Sequence, residues 1–141
     1  MARTTVLLED HTQALLAALN TTTLVVGDGE APRNVDKSEI PPPYIVLYPL
    51  VGGDQSGPLS DSQVDVILPY QITAVGTTRQ QAQVALDIAR DVMKKENITI
   101  PNRSVMDLRL LNPISGHIRD DDLPNPLHYG YDRYELETTP A

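Results

Sequence analysis

The stretch "VDVILPYQITAVGTTRQQAQVALDIARDVM", residues 64–93, decides the fold. Val64, Val66, Leu68, Tyr70, Ile72 and Ala74 recur at every second position, which in a strand puts them on one face of a sheet. The other face takes Asp65, Gln71 and Thr73, joined by Ile67, Pro69 and Val75. Proline cannot donate to a ladder, so the strand is expected to bend at Pro69 or to lie partly at an edge there. "GTT" (76–78) ends the strand, and Thr77 or Thr78 caps a helix. Val84, Ala85, Ile88, Ala89, Val92 and Met93 then make an apolar stripe at helical spacing. The pattern predicts a helix over about 77–96 that packs on the sheet through Val84, Ile88 and Val92. "KKEN" (94–97) supplies positive charge near its C-terminus, as the helix dipole favours.

Working outward, a first helix is expected from about Thr5 to Asn20, capped by Thr4 or Thr5, with Glu9 and Asp10 early. Leu8, Leu15, Leu16 and Leu19 share its apolar face, and His11 falls off that stripe, at the surface. "TTTLVV" (21–26) reads as a strand stopped by "GDG" (27–29). "YIVLYPLV" (44–51) reads as another, with Pro49 pushing it toward an edge or a bulge. "VMDLRLL" (105–111) alternates with Met106, Leu108 and Leu110 on one side, and "YGYDRYELE" (129–137) places Tyr134 and Leu136 together. The order α-β-β-β-α-β-β describes one α+β domain, residues 1–141, with a mostly antiparallel sheet of four to five strands and two helices packed on it. Long polar connections at 28–43, 52–62 and 112–128 are expected to be mobile loops.

Composition narrows the function. The chain has no Phe and no Trp, so its core is aliphatic and its six tyrosines are the only aromatics. Tyrosine needs a partner for its hydroxyl and favours core margins and interfaces. A net charge of −8, with scattered Lys and Arg, argues against wrapping nucleic acid through its phosphates. No cysteine is present for a disulfide or a thiolate zinc site. The apolar patch at residues 6–8 is too short for a signal peptide, and no run approaches the roughly 20 apolar residues of a membrane span. The chain therefore reads as soluble and intracellular at synthesis, with no membrane partner.

His117, Asp120, Asp121, Asp122 and His128 are the one cluster with metal-binding or acid–base chemistry. Adjacent aspartates diverge in an extended loop, and no His-Glu-x-x-His spacing supports them, so the segment reads as a solvated acidic loop with no essential metal. "GDGEAP" lacks the pattern of a phosphate cradle, and no serine sits in a Gly-x-Ser-x-Gly elbow. "PPPY" (41–44) stiffens the approach to a strand, or could serve as a polyproline ligand. No cofactor and no catalytic residue follow from these readings. Tyr44, Tyr48, Tyr129 and Tyr131 flank loops, where they suit either a subunit interface or packing at the sheet edge. Asp54, Gln55 and Pro58, at the tip of the 52–62 segment, complete the candidate interface.

The "PPYIVL" strand after a long loop and the run "VDVILPYQITAVGTTRQQA" leading into an amphipathic helix carry a resemblance. So does the polar closing strand "YDRYELE". From about Thr5 to Glu137 the chain resembles the tail terminator proteins of long-tailed noncontractile (siphovirus-type) bacteriophages. In that family a mid-chain strand runs into a helix beginning T-x-x-Q-A; the 112–128 segment has no counterpart there. The resemblance implies a structural protein and no enzyme. It implies a homo-oligomeric ring, commonly a hexamer, that caps the tail tube, stops its elongation and offers a surface to the head–tail connector. The partners implied are the chain itself, the tail tube protein and the connector protein. DNA would pass through an acidic or neutral lumen without specific binding. The place implied is the virion neck, after assembly in the host cytoplasm. Loops 28–43 and 52–62 would order against a neighbouring subunit, since a closed ring needs a heterologous interface. The alternatives are another neck component, a head–tail joining or stopper protein, and a metal-dependent enzyme built on 112–128.

Overall fold

A computed structural model describes residues 7–50, 54–55, 65–111, 117–120 and 126–141. The elements are α1 (Leu7–Leu19), β1 (Val25–Asp28), β2 (Tyr44–Pro49), β3 (Asp54–Gln55), β4 (Val66–Gly76), α2 (Arg79–Val92), a 3₁₀ turn (Lys95–Asn97), β5 (Arg103–Leu111), β6 (His117–Asp120) and β7 (Leu127–Pro140). One sheet runs β1-β2-β4-β7-β5, with β3 added to β4 and β6 to β7. All pairings are antiparallel except β1 with β2, so the sheet is mixed. The expected order of two helices and five main strands holds. Two short strands, β3 and β6, lie in segments read from sequence as turn and loop.

β4 is the centre of the molecule because its alternation is the cleanest. Val66, Tyr70, Ile72 and Ala74 are buried on one face, and β7 matches them through Thr138, Tyr134, Asp132 and Gly130. Both helices pack against this inner face, and the core unites Leu15 and Leu19 of α1 with Ile45, Leu47, Ile72, Leu86, Ala89 and Leu136. Pro69 sits inside the sheet without breaking it. Its carbonyl accepts from Leu50 N–H at 3.0 Å. The nitrogen of a strand residue faces the same side as its carbonyl, so the missing donor is withheld from that flank and not from β7. On that flank Pro69 falls between the register of β2 and that of β3. Pro49 is tolerated likewise, because β1 pairs only with residues 44–47.

The Thr78 side chain caps α2, accepting from Gln81 N–H at 3.1 Å, while Gln81 Oε1 reaches back to Thr77 N–H at 2.6 Å. Gly76 permits the tight exit from β4, because a Cβ there would lie 2.7 Å from Ala82 N. The helix ends at Val92, and the expected last turn becomes the separate 3₁₀ turn.

The buried face of α2 differs from the expected one. Ala82, Ala85, Leu86 and Ala89 face the core, while Val84 is 48% exposed and Ile88 and Val92 are only half buried. Small alanines let the helix approach the sheet closely, and Leu86 fills the remaining depth. Ala85, Ala89 and Met93 of the stripe read from sequence are thus buried as expected, and Val84, Ile88 and Val92 are turned toward the helix flank. On α1, Leu15, Leu16 and Leu19 are buried as expected, but His11 is fully buried and Leu8 is 46% exposed. His11 contacts Thr138, which is paired with Val66 at the start of β4. A bulge between Val105 and Asp107 also resets β5. Met106 is thrown outward at 51% exposure, and Val105 takes its place beside Leu108 and Leu110 on the inner face.

An ion pair fastens α2 to β7. Arg90 Nε and Nη2 donate to the two carboxylate oxygens of Asp132, each at 2.7 Å, and the Asp132 side chain is fully buried while Arg90 keeps 29% exposure. Asp132 holds the Arg90 pKa above its ordinary value, chiefly by that hydrogen bonding. The two partners are therefore unequal. Arg90→Met takes the charged partner from a buried carboxylate and should lower stability by about 3–5 kcal/mol. Asp132→Asn leaves Arg90 able to reach water and should cost clearly less. Urea unfolding of the two variants measures the difference, and equal losses would contradict this account.

Candidate functional site

The face of the sheet away from the helices is built by the complementary set of alternating residues. Register places Tyr44, Val75 and Tyr129 in one row, Val46, Thr73 and Tyr131 in the next, and Tyr48, Gln71 and Arg133 in the third. All four tyrosines singled out in the sequence therefore share one face, on β2 and β7, with β4 between them. They are half buried, and Val46 and Val75 beneath them are buried.

The connection from β1 to β2 lies against this face. Gly27 is register-matched to Val46, and a Cβ on Gly27 would collide with the carbonyl of Glu30 and lie 3.0 Å from Pro32 Cδ. Beyond it, Arg33 bridges to Glu39, and the Asp36 carboxylate accepts from Ser38 N–H at 3.0 Å. The segment expected as an unstructured loop thus carries a turn of its own. Burial raises the Tyr44 pKa, with Tyr129, Glu39 and Tyr48 adding to the rise and Arg33 opposing it, so the loop and the tyrosines form one neighbourhood.

Arg133 joins the patch, unforeseen. Its guanidinium carbon stands 5.8 Å from the Tyr131 ring centroid, and its Nε donates to Gln71 Oε1 at 3.2 Å. Strict alternation from Tyr129 through Tyr131 would have found it, as alternation along 64–75 placed Gln71, Thr73 and Val75 on the other face of β4. Farther along, the same face turns charged, with Arg109 bonded to Glu135 at 3.1 Å and near Asp107 at 3.4 Å. The patch offers phenol rings, hydroxyls, an amide and one stacked cation around a buried apolar floor. That chemistry suits contact with protein, where Tyr and Arg supply most of the binding energy.

Asp54 and Gln55 form β3, paired with Ile67 and Val66, and Pro58 lies outside the described residues. The acidic cluster is not one loop. His117 and Asp120 begin and end β6, opposite Gly130 and Leu127, and Arg119 pairs with His128. Asp121 and Asp122 lie outside the described residues. Among the described residues no three His, Asp or Glu come close enough to hold a metal ion, and no helix is long and apolar enough to cross a membrane. An open groove of about 500 Å³ lies between α2 and the segment before β1, lined by Thr23, Leu24, Pro43, Val84 and Ile88.

No protein-family model and no curated protein matches the chain. Among solved structures it is similar to a chain of the virion of the native gene transfer agent particle. The TM-score is 0.67 at 10% identity, covering 95% of this chain and 98% of that one. The likeness is one of fold, and it spans both chains nearly end to end.

Proposed function

We propose that this protein is a structural component of a phage-type virion, and that it works as a tail terminator. Six copies close into a ring on the head-proximal end of the tail tube, stop its elongation and present a surface to the head–tail connector. The observation that carries the reading is the end-to-end fold likeness to a virion chain. The sequence resemblance to tail terminators independently points the same way. The tyrosine face supplies the contact: a ring needs a heterologous surface on each subunit, and Tyr44, Tyr48, Tyr129 and Tyr131 are aromatic anchors held on a rigid sheet. The 28–43 segment, which lies against this face, adds to the contact. Function on this reading has no catalytic step. The ring lumen is neutral or acidic, in keeping with a net charge of −8, so DNA slides through without being held by its phosphates.

The reading is tested by adding the purified protein to elongating tail tubes. Tubes should stop at uniform length with a ring at one end, and unrestricted growth would refute it. Salt-sensitive, tight binding of DNA by the assembled ring would contradict the lumen assignment.

A further inference from the structure

The connection from β1 to β2 ends in a built turn that displays an apolar side chain the fold does not use. Lys37 N–H donates to the Asn34 carbonyl at 2.8 Å and Asn34 N–H to the Ser38 carbonyl at 3.0 Å, which closes a short hairpin loop around Val35, Asp36 and Lys37. The Asp36 carboxylate accepts from Ser38 Oγ at 2.6 Å, and Arg33 Nη1 donates to the Lys37 carbonyl at 3.3 Å. Val35 gains nothing from this frame, for its side chain is fully exposed at the tip. Lys37 holds a φ of 67°, a left-handed backbone where Gly or Asn is the usual occupant. A cation is kept beside Val35 at a cost in backbone strain.

The groove beside α2 has the matching chemistry. Leu24 and Pro43 face Val84 and Ile88 across about 500 Å³, within the roughly 300–1,000 Å³ of clefts that seat a compact group. Farther along the helix the groove continues to Val92, with Asp87 and Asp91 on its rim. Both carboxylates are largely exposed, and their pairs with Arg90 at 3.9 Å and Lys94 at 3.4 Å are surface contacts of little strength.

We propose that the Val35 turn of one copy seats in the α2 groove of the next, with Val35 on the apolar floor and Lys37 toward Asp87 and Asp91. On the ring reading above, on which this docking rests, each subunit must carry two different, complementary surfaces. The tyrosine face with its 28–43 segment is one. The groove is the other, apolar where the turn is apolar and acidic where it is basic. Asp36 does not oppose the match, because its carboxylate is turned back onto Ser38. A subunit cannot fill its own groove: the stem of the turn lies on the helix-free face, and the groove lies on the helix side of the same sheet.

The chain has no cysteine, so a disulfide can report the contact. Val35→Cys and Val84→Cys, in separate chains, are mixed under oxidising conditions in which the parent assembles. A disulfide between positions 35 and 84 should form at least about tenfold faster than one between like positions, because docking raises the local thiol concentration. Val35→Asp should raise the concentration needed for assembly by about tenfold or more. Lys37→Glu should also weaken assembly, and adding Asp87→Lys and Asp91→Lys to the same chain should recover it. Both Val35 and Val84 are exposed, so these replacements spare the fold. Rings that form at the parent's concentration in Val35→Asp, with no 35–84 link in the cysteine mixture, would overturn the docking and leave the ring itself standing, its groove left to a different partner. A parent that forms no ring, alone or on tail tubes, overturns self-assembly, and the docking falls with it.

Discussion

Leu86→Asp unfolds the protein, and Ile88→Asp does not. Leu86 is 1% exposed and reaches into the joint core of α2, β4 and β7. Removing a buried leucine costs about 2–5 kcal/mol, and burying an unpaired carboxylate adds several more. Together these approach the entire stability of an ordinary domain, about 5–15 kcal/mol. Ile88 stands half exposed on the groove, where an aspartate can reach water. Its replacement should cost about 1–2 kcal/mol and leave a cooperative melt. Circular dichroism and soluble yield separate the two. A folded Leu86→Asp protein, or an unfolded Ile88→Asp one, would mean that α2 is rotated from the orientation described.

Tyr44→Asp combined with Tyr129→Asp abolishes assembly while sparing the fold. The two tyrosines flank Val75 in one row of the helix-free face, and neither is in the core cluster. Two carboxylates there would confront each other and any partner surface, and charged residues are depleted at interface centres. Glu135→Ala, on the charged half of the same face, is the control and should assemble normally. Sedimentation at increasing concentration reads the outcome. Rings that survive the tyrosine double replacement would remove this face from the interface.

Most of the sheet was legible in the sequence, because a period of two leaves few alternatives once one face is buried. Val66 to Ala74 and Tyr134 with Leu136 fall as their alternation requires. Helix faces were less legible. The α2 stripe held Ala85, Ala89 and Met93 as well as Val84, Ile88 and Val92, and close packing on a sheet favours its small-residue half, joined by Ala82 and Leu86. Nothing local in the sequence ranks Ala82, Ala85 and Ala89 above larger residues. His11 was misplaced for a related reason: its burial depends on Thr138 and Arg103, more than ninety residues away in the chain. The bulge at Met106 was also hidden, since a single inserted residue leaves the flanking alternation plausible in either phase. Of the candidate site, the four tyrosines were visible as residues, but their common face required the register of β2 against β4 and β7.

Electron microscopy of the purified protein at increasing concentration, alone and mixed with tail tubes, tests the central claim most directly. The account predicts closed rings of six subunits, forming at high concentration or on tube ends and seated at one end of each tube. Particles that stay monomeric at every concentration and leave tube ends bare would contradict it.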